Sequence, residues 1–361
     1  MSTDDEGDLN VISVFDVLAA AHESEEVEVL PPHKLCGNHT LNLVASTDSL
    51  QARSDKSYKR TFDRAMAKVQ ALSNAVNRSP KLNDLVEEIT GTTFTNPTST
   101  RWSSSFHAVQ RVVSIGLEKV KRCQVALKQE PMTDADMLFL GSYAKIMRPL
   151  VLAMDLIQGD KATYLGHLIP TIMGLQCKLR QSTDKLVAPL VKALIAGIDM
   201  RFKSVLSDKD HLIATVLLPQ FKLNFLPEDA RLDTKRLVLA YVQQVKDESP
   251  DMVDSDGILG TAAVAAEDDN DLFSFMNSRE QTAIGSPVSK EVDDYLASKA
   301  TNIQSLKDFP TIARAFQKAN STLPSSAAVE RLFSVSGMIL TPRRCRMSDK
   351  LFDMMVFLKG C

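Results

Sequence analysis

The 361-residue sequence predicts a mainly α-helical protein. Apolar residues recur at i, i+3, i+4 and i+7 over long stretches, the spacing of one buried helix face. Hydrophobic content is 44% with aromatics at only 6%, which points to a sizeable core of Leu, Val, Ile, Ala and Met. Ser79-Pro80, Gly91 and Gly337 stand at the margins of periodic stretches, where helices start and stop. The length suits about two domains.

Charge divides the chain more sharply than hydropathy does. Residues 1–30 hold nine acids and no Lys or Arg; residues 31–128 hold fifteen Lys/Arg against seven Asp/Glu; residues 247–294 hold thirteen acids against two basic residues. A basic block between acidic blocks suits a polyanion-facing surface, and equally suits ordinary solvated helix faces. Five cysteines, at 36, 123, 177, 345 and 361, are odd in number and widely spaced, without a Cys-x-x-Cys pair, as in reduced proteins of cytosol or nucleus. The polar, acidic N-terminus is unlike a signal peptide. No apolar run approaches the length of a membrane span, so no membrane partner is expected.

Four segments follow: an acidic lead, 1–30; a helical region, 31–246; an acidic linker rich in Ser, Gly and Ala, 247–286; and a C-terminal region, 287–361. In the lead, residues 9–18 fit a strand or a short helix. After Pro31-Pro32, Cys36 and His39 have half the spacing of a zinc site, with His33 as a further donor, but no second pair stands nearby. The spacing predicts helices over Tyr58–Val76, with Arg60, Arg64 and Lys68 on another side, over Leu82–Ile89, and from Thr100 through Phe106, Val109, Val112, Val113 and Leu117. Trp102, the one tryptophan, reads either as a core anchor or, beside Arg101, as a base-stacking ring. Residues 134–246 are helical almost throughout, with seams at Leu138/Tyr143/Ile146/Leu150, Leu165/Leu168/Ile169/Ile172/Leu175, Leu190/Leu194/Ile198 and Leu237/Tyr241/Val245.

Near the C-terminus, Pro324 and a following serine predict the start of a helix and Gly337 its end. Val329, Leu332, Phe333 and Ser336 share one face. Glu330 falls on another side beside Ala327 and Ser334; by spacing alone it reads first as a solvated carboxylate on an amphipathic helix, though its small neighbours also leave it room to face a cleft. Ser348 is placed to cap a last helix whose Leu351/Met355/Leu358 and Phe352/Val356 rows make a wide apolar surface.

Ser-Ser-Ala-Ala-Val-Glu-Arg-Leu-Phe-Ser-Val-Ser-Gly at 325–337, with Arg343, Arg344, Arg346 and the closing apolar helix, resembles the C-terminal signature of hAT-superfamily DNA transposases. Cys36-x-x-His39-Thr-Leu-Asn-Leu-Val is similar to that family's Cys-x-x-His motif, and Thr100-Arg101-Trp102-Ser-Ser to its Arg-Trp motif. Residues 210–223 are similar to its all-helical insertion domain, with Leu218 where an Asp is often found. The resemblance implies an all-helical insertion domain plus an incomplete RNase H-like (α+β) C-terminal part. It implies Glu330 as the third acid of an Asp-Asp-Glu set, Cys36 and His39 as active-site support, and Arg101 and Trp102 as DNA contacts. It implies dimerisation through Leu332, Phe333, Leu351, Phe352, Met355 and Leu358, a homodimer or a related chain as partner, and a nuclear location.

Two features of a working transposase do not stand in this sequence. No BED-type zinc-finger pattern precedes the helical region, and Asp4, Asp5, Asp8 and Asp16 lack the family's context for its first two acids. Two-metal cleavage needs several carboxylates around paired ions, and a single Glu holds Mg²⁺ weakly. The expected function is therefore a transposase-derived, dimerising protein with residual DNA binding and no cofactor. An active transposase using Mg²⁺ and a helical scaffold unrelated to DNA are the alternatives.

Overall fold

A computed structural model describes residues 34–94, 102–159, 163–248, 287–339 and 347–360, and among them regular structure is entirely helical. The 9–18 stretch, the early aspartates, His33, Arg101, Arg343 to Arg346 and nearly all of the acidic linker lie outside the described residues. The mainly helical class holds; no strand of an RNase H-like sheet occurs among the described residues.

The first core forms around one long helix. In chain order, α1 is Gly37–Ser46, α2 Lys56–Arg78, α3 Pro80–Thr90, α4 Trp102–Ile115, α5 Leu117–Ala126, α6 Asp134–Ile157, α7 Leu168–Arg180 and α8 Ala188–Arg201. Local chemistry sets their ends. Asp55 caps α2 by accepting the Tyr58 N–H at 2.8 Å; Pro80 opens α3; Gly91, at φ 78°, closes α3 in the left-handed region. A reciprocal pair closes the start of α6, the Thr133 hydroxyl accepting from the Asp136 N–H and the Asp136 carboxylate from the Thr133 N–H.

α6 packs against α1, α2, α4 and α7. Contrary to the expectation that no apolar run approaches the length of a membrane span, it is, among the described residues, a helix long and apolar enough to cross one; half of that apolar window is buried inside the fold, as in the core helix of a globular protein. Its seam begins one residue later than expected: Leu138 is exposed, and Phe139, Tyr143, Ile146 and Leu150 are buried. The i, i+4, i+7, i+11 row is the better helical match, since Leu138 to Tyr143 is five residues.

The second core is smaller. It joins α10 (Lys209–Val216) and α11 (Glu228–Glu248) to α12 (Pro287–Ala297) and α13 (Pro310–Ala319), so residues on both sides of the acidic linker share it. The short α9 (Lys203–Ser207) leads into it. On α11 the buried row is Val238/Val242/Val245, one step round from the expected Leu237/Tyr241/Val245, which leaves Leu237 and Tyr241 half-exposed. Leu218, at the position where the family favours Asp, is buried in this core and would give a carboxylate no water.

Asn320 links the cores. Its side-chain oxygen accepts the Gly166 N–H at 2.9 Å and its side-chain nitrogen donates to the Ala214 carbonyl at 3.2 Å. Gly166 is required there, because a Cβ would lie 2.3 Å from the Ala214 oxygen.

The strongest electrostatic node is buried. Asp136 is fully enclosed and takes Arg64 Nε at 2.6 Å and Lys68 Nζ at 3.0 Å; Lys68 also donates to the Pro131 carbonyl. Lys68, expected on a different side of α2 from its apolar row, is buried, and two cations of the 31–128 block are paired with one carboxylate. Burial alone would raise the Asp136 pKa, but hydrogen bonds from Thr133, Lys68 and Arg64 outweigh it and hold the carboxyl far below its ordinary range. Its contribution is present above the unfolded carboxylate value of about 4 and is lost as pH falls through the lower folded value. Asp136→Asn should therefore cost up to about 3–5 kcal/mol at pH 7, by leaving the buried Lys68 with only the exposed Glu130 carboxylate, 2.8 Å away, as its ion-pair partner. Urea unfolding at pH 7 and at stepped acidic pH tests this: the gap to wild type should narrow below about pH 4.

Candidate functional site between α1, α4, α6 and α14

Cys36 organises the site. It stands at the N-cap of α1, where its Sγ accepts the His39 N–H at 3.4 Å. The same sulfur accepts the Ser326 N–H at 3.3 Å, and the Ser326 hydroxyl lies 3.2 Å away. One residue on, the Gly37 N–H donates to the Pro324 carbonyl at 2.9 Å. A Cβ on Gly37 would come within 2.8 Å of Leu168 Cδ1 and 3.0 Å of that carbonyl, so the contact needs glycine. Chain segments nearly 290 residues apart are thereby clamped together.

The clamp sets the start of α14, which spans Ala327–Ile339. Ser325 Oγ accepts the Ala327 N–H at 3.1 Å and the Ser326 carbonyl accepts the Glu330 N–H at 2.9 Å, so the capping serines expected after Pro324 are in place. Gly337 does not end the helix, which runs two residues further. Glycine is tolerated inside a helix at a cost of about 1 kcal/mol, and the buried Ile339 anchors the extra half-turn. Glu330 lies in the first turn, where the helix dipole favours a carboxylate. Its Oε1 is 2.8 Å from the Ser326 hydroxyl.

Glu330 faces a polar cleft of about 460 Å³. α1 contributes Asn38, His39 and Asn42, α4 contributes Ser103 and His107, α6 contributes Asp155 and Gln158, and α14 adds Arg331 and Ser334. Gln158 donates to Asn38 at 2.8 Å, tying α6 to α1 across the cleft floor. The structure thus gathers His39, Ser103 of the Thr-Arg-Trp-Ser-Ser stretch and Glu330 around one space. Asp155, His107 and Gln158 were not legible as site residues. Each lies on a helix face without a local motif, and only the packing of α4 and α6 onto α1 brings them in.

The Ser326 hydroxyl has one proton and two neighbours, Cys36 Sγ and Glu330 Oε1. Directed at the carboxylate, it makes a charge-assisted bond; directed at sulfur, it stabilises a thiolate. Burial pushes the Cys36 thiol up, but hydrogen bonds from Ser326, His39 and Ser325 outweigh it and leave the thiol below its ordinary value. Chemically, Cys36 is a positioning residue that caps one helix and fixes the end of the helix carrying Glu330.

Trp102 is half-buried at the first position of α4. Its ring lies 5.8 Å from Phe106, and it hydrogen-bonds with Tyr143, whose buried phenol is pushed up to about 12. Part of the indole serves the core, and the remaining face is open. Among the described residues no group of three or more His, Cys, Asp or Glu is placed to hold a metal. Glu330 and Asp155 do not make up the two-metal donor set that the resemblance implies.

The expected dimerisation residues are on or near the surface. α14 packs against α15, Asp349–Gly360, which Ser348 caps as expected by accepting the Leu351 N–H. Phe333 is 68% and Leu358 69% exposed; Leu332 and Leu351 are also exposed, while Phe352 and Met355 are half-buried. Val329, Met338, Met354 and Phe357 extend the same apolar surface.

The fold and cleft define a helical protein with a carboxylate-bearing polar site that α14 lines on one side. No protein-family model matches the chain. It is 19% identical over 229 residues to zinc finger BED domain-containing protein 4 of Homo sapiens, a match covering 61% of this chain and 19% of that protein. The chain therefore spans about a fifth of that relative's length, and the similarity supports a distant relationship to a BED zinc-finger protein.

Ser326→Ala should raise the Cys36 pKa by removing the hydrogen bond that lowers it most. Site-resolved iodoacetamide alkylation across pH 6–10 would show the Cys36 profile displaced to higher pH, with Cys177 as the exposed internal reference.

Proposed function

We propose that this chain is a transposase-derived nuclear protein that pairs through its C-terminal helices and retains contact with DNA. The observation that carries this reading is the convergence of widely separated motifs on one cleft. His39, Ser103 and Glu330 are remote in sequence yet line one cleft, and Cys36, three residues before His39, joins its helix to the start of α14. The distant BED zinc-finger relative supports the same class.

Pairing is supported by the α14–α15 surface. Phe333, Phe357 and Leu358 expose large side chains beside Leu332 and Leu351. Large apolar side chains exposed on two packed helices are a feature of interaction sites. An RNase H-like ancestry and a homodimer, or a pair with a related chain, belong to this reading. DNA contact is assigned to the basic 31–128 block, with Arg101 for phosphate and the open face of Trp102 for a base. Glu330 is a vestigial acid in this reading, and no strand cleavage is expected.

Replacing both Phe333 and Leu358 by Asp removes two exposed side chains that each contribute about 1.5–3 kcal/mol when buried. Light scattering behind size exclusion should show a dimer becoming monomer at tens of micromolar, with helical circular dichroism intact. A monomeric wild type at that concentration removes the pairing claim. Trp102→Ala should weaken single-stranded DNA binding by about 1–3 kcal/mol. Unchanged affinity with a lowered melting temperature would assign the indole to the core.

A further inference from the structure

The cleft continues as a valley along α4 and α6. On α4, Ser103 and His107 line the cleft and Gln110 lines the adjoining groove, at i, i+4 and i+7 on one face. On α6, Asp155 lines the cleft, and Leu152, Arg148 and Lys145 line the groove on the turns before it. That groove encloses about 410 Å³, has Val113, Ala144 and Pro149 among its apolar lining, and takes Lys178 from α7. Lys145, Pro149 and Lys178 also line a second groove of about 400 Å³, which reaches the hydroxyls of Ser182 and Thr183. At 1.5 Å per residue, Arg148 lies about 10 Å and Lys145 about 15 Å along the helix from Asp155.

Some cations of the described surface are paired and others are not. Arg64 and Lys68 are neutralised by Asp136, Arg201 by Asp48, Lys235 by Asp293 and Lys318 by Glu248. Lys145, Arg148 and Lys178 are exposed, and none makes an ion pair among the described residues. Asp184, the carboxylate of the second groove, accepts the Leu186 N–H at 3.0 Å. A row of unneutralised cations above an apolar floor attracts a chain of anions with an apolar side. The sites are narrow grooves between helices, which suit one strand with its bases against the floor.

We propose that this valley is a track for single-stranded nucleic acid, with phosphates on Lys145, Arg148 and Lys178 and the strand leading into the cleft at Glu330. The location follows from the grooves and their charges; the identity of the polyanion rests on the DNA reading above. Lys145, Arg148 and Lys178 lie outside the basic block of residues 31–128, so the two sets of contacts can be altered separately.

The test is fluorescence anisotropy of a labelled 20-nucleotide oligo-dT across 50–200 mM salt. It compares the full chain, a valley triple (Lys145→Ala, Arg148→Ala, Lys178→Ala), and a control triple of exposed lysines elsewhere (Lys192→Ala, Lys203→Ala, Lys209→Ala). Losing three phosphate contacts should reduce the log–log salt slope by about 2, equal to about a 20-fold smaller affinity loss over that range. The valley triple should show this with unchanged circular dichroism, and the control triple should not. Equal effects from both triples overturn the track and leave DNA binding standing as a net-charge effect. A loss confined to duplex DNA overturns the single-strand assignment. A wild type that binds neither single strand nor duplex overturns the track together with the DNA reading. If it instead binds vesicles of one-third phosphatidylserine through the same three residues, a membrane surface takes the strand's place.

Discussion

The Gly37 N–H to Pro324 carbonyl bond is a small contact on which the site depends. It exists because position 37 has no side chain, and because Cys36 beside it offers a sulfur that both caps α1 and takes the Ser326 N–H. Backbone polar groups at such a junction must find partners, and here each end of the chain supplies the other's. With that junction made, α14 starts where Glu330 in its first turn must face α1. Without it, the carboxylate would be one more exposed acid on an amphipathic helix.

The rest of the cleft is assembled by α6. Its buried row fixes α1, α2, α4 and α7 around it, and its opposite end is held by the Asp136 node. Residues at the C-terminal end of α6, Asp155 and Gln158, then complete the polar space. Stability and site thus sit at opposite ends of one helix. The ion cluster is paired on every side, whereas the cleft leaves its carboxylates exposed, the arrangement expected where one end is structural and the other faces a ligand.

Much of the helical plan was legible because short-range chemistry wrote it. Asp55, Ser79-Pro80 and Gly91 cap or break helices by rules acting within a turn, and the boundaries follow them closely. Leu138 and Leu237 were misassigned because several apolar residues competed for the same seam and only packing chose among them. Gly337 was misread because glycine permits a helix end without requiring one; the burial of Ile339 decides otherwise. The placement of Glu330 toward a cleft was readable from its small neighbours. The sulfur contact to Ser326 was not, since a bond across nearly 290 residues leaves no trace in local spacing. Asp155 and His107 stayed hidden for the same reason.

Asn320 has a further mechanical meaning. Its amide holds both cores, and six residues later Ser326 is fixed on Cys36, so the intervening stretch is a short tether anchored at both ends. Such a tether sets where the helix bearing Glu330 begins relative to both cores. Glu330 and Phe333 lie on that same short helix, so the cleft and the apolar face of α14 share one anchored element.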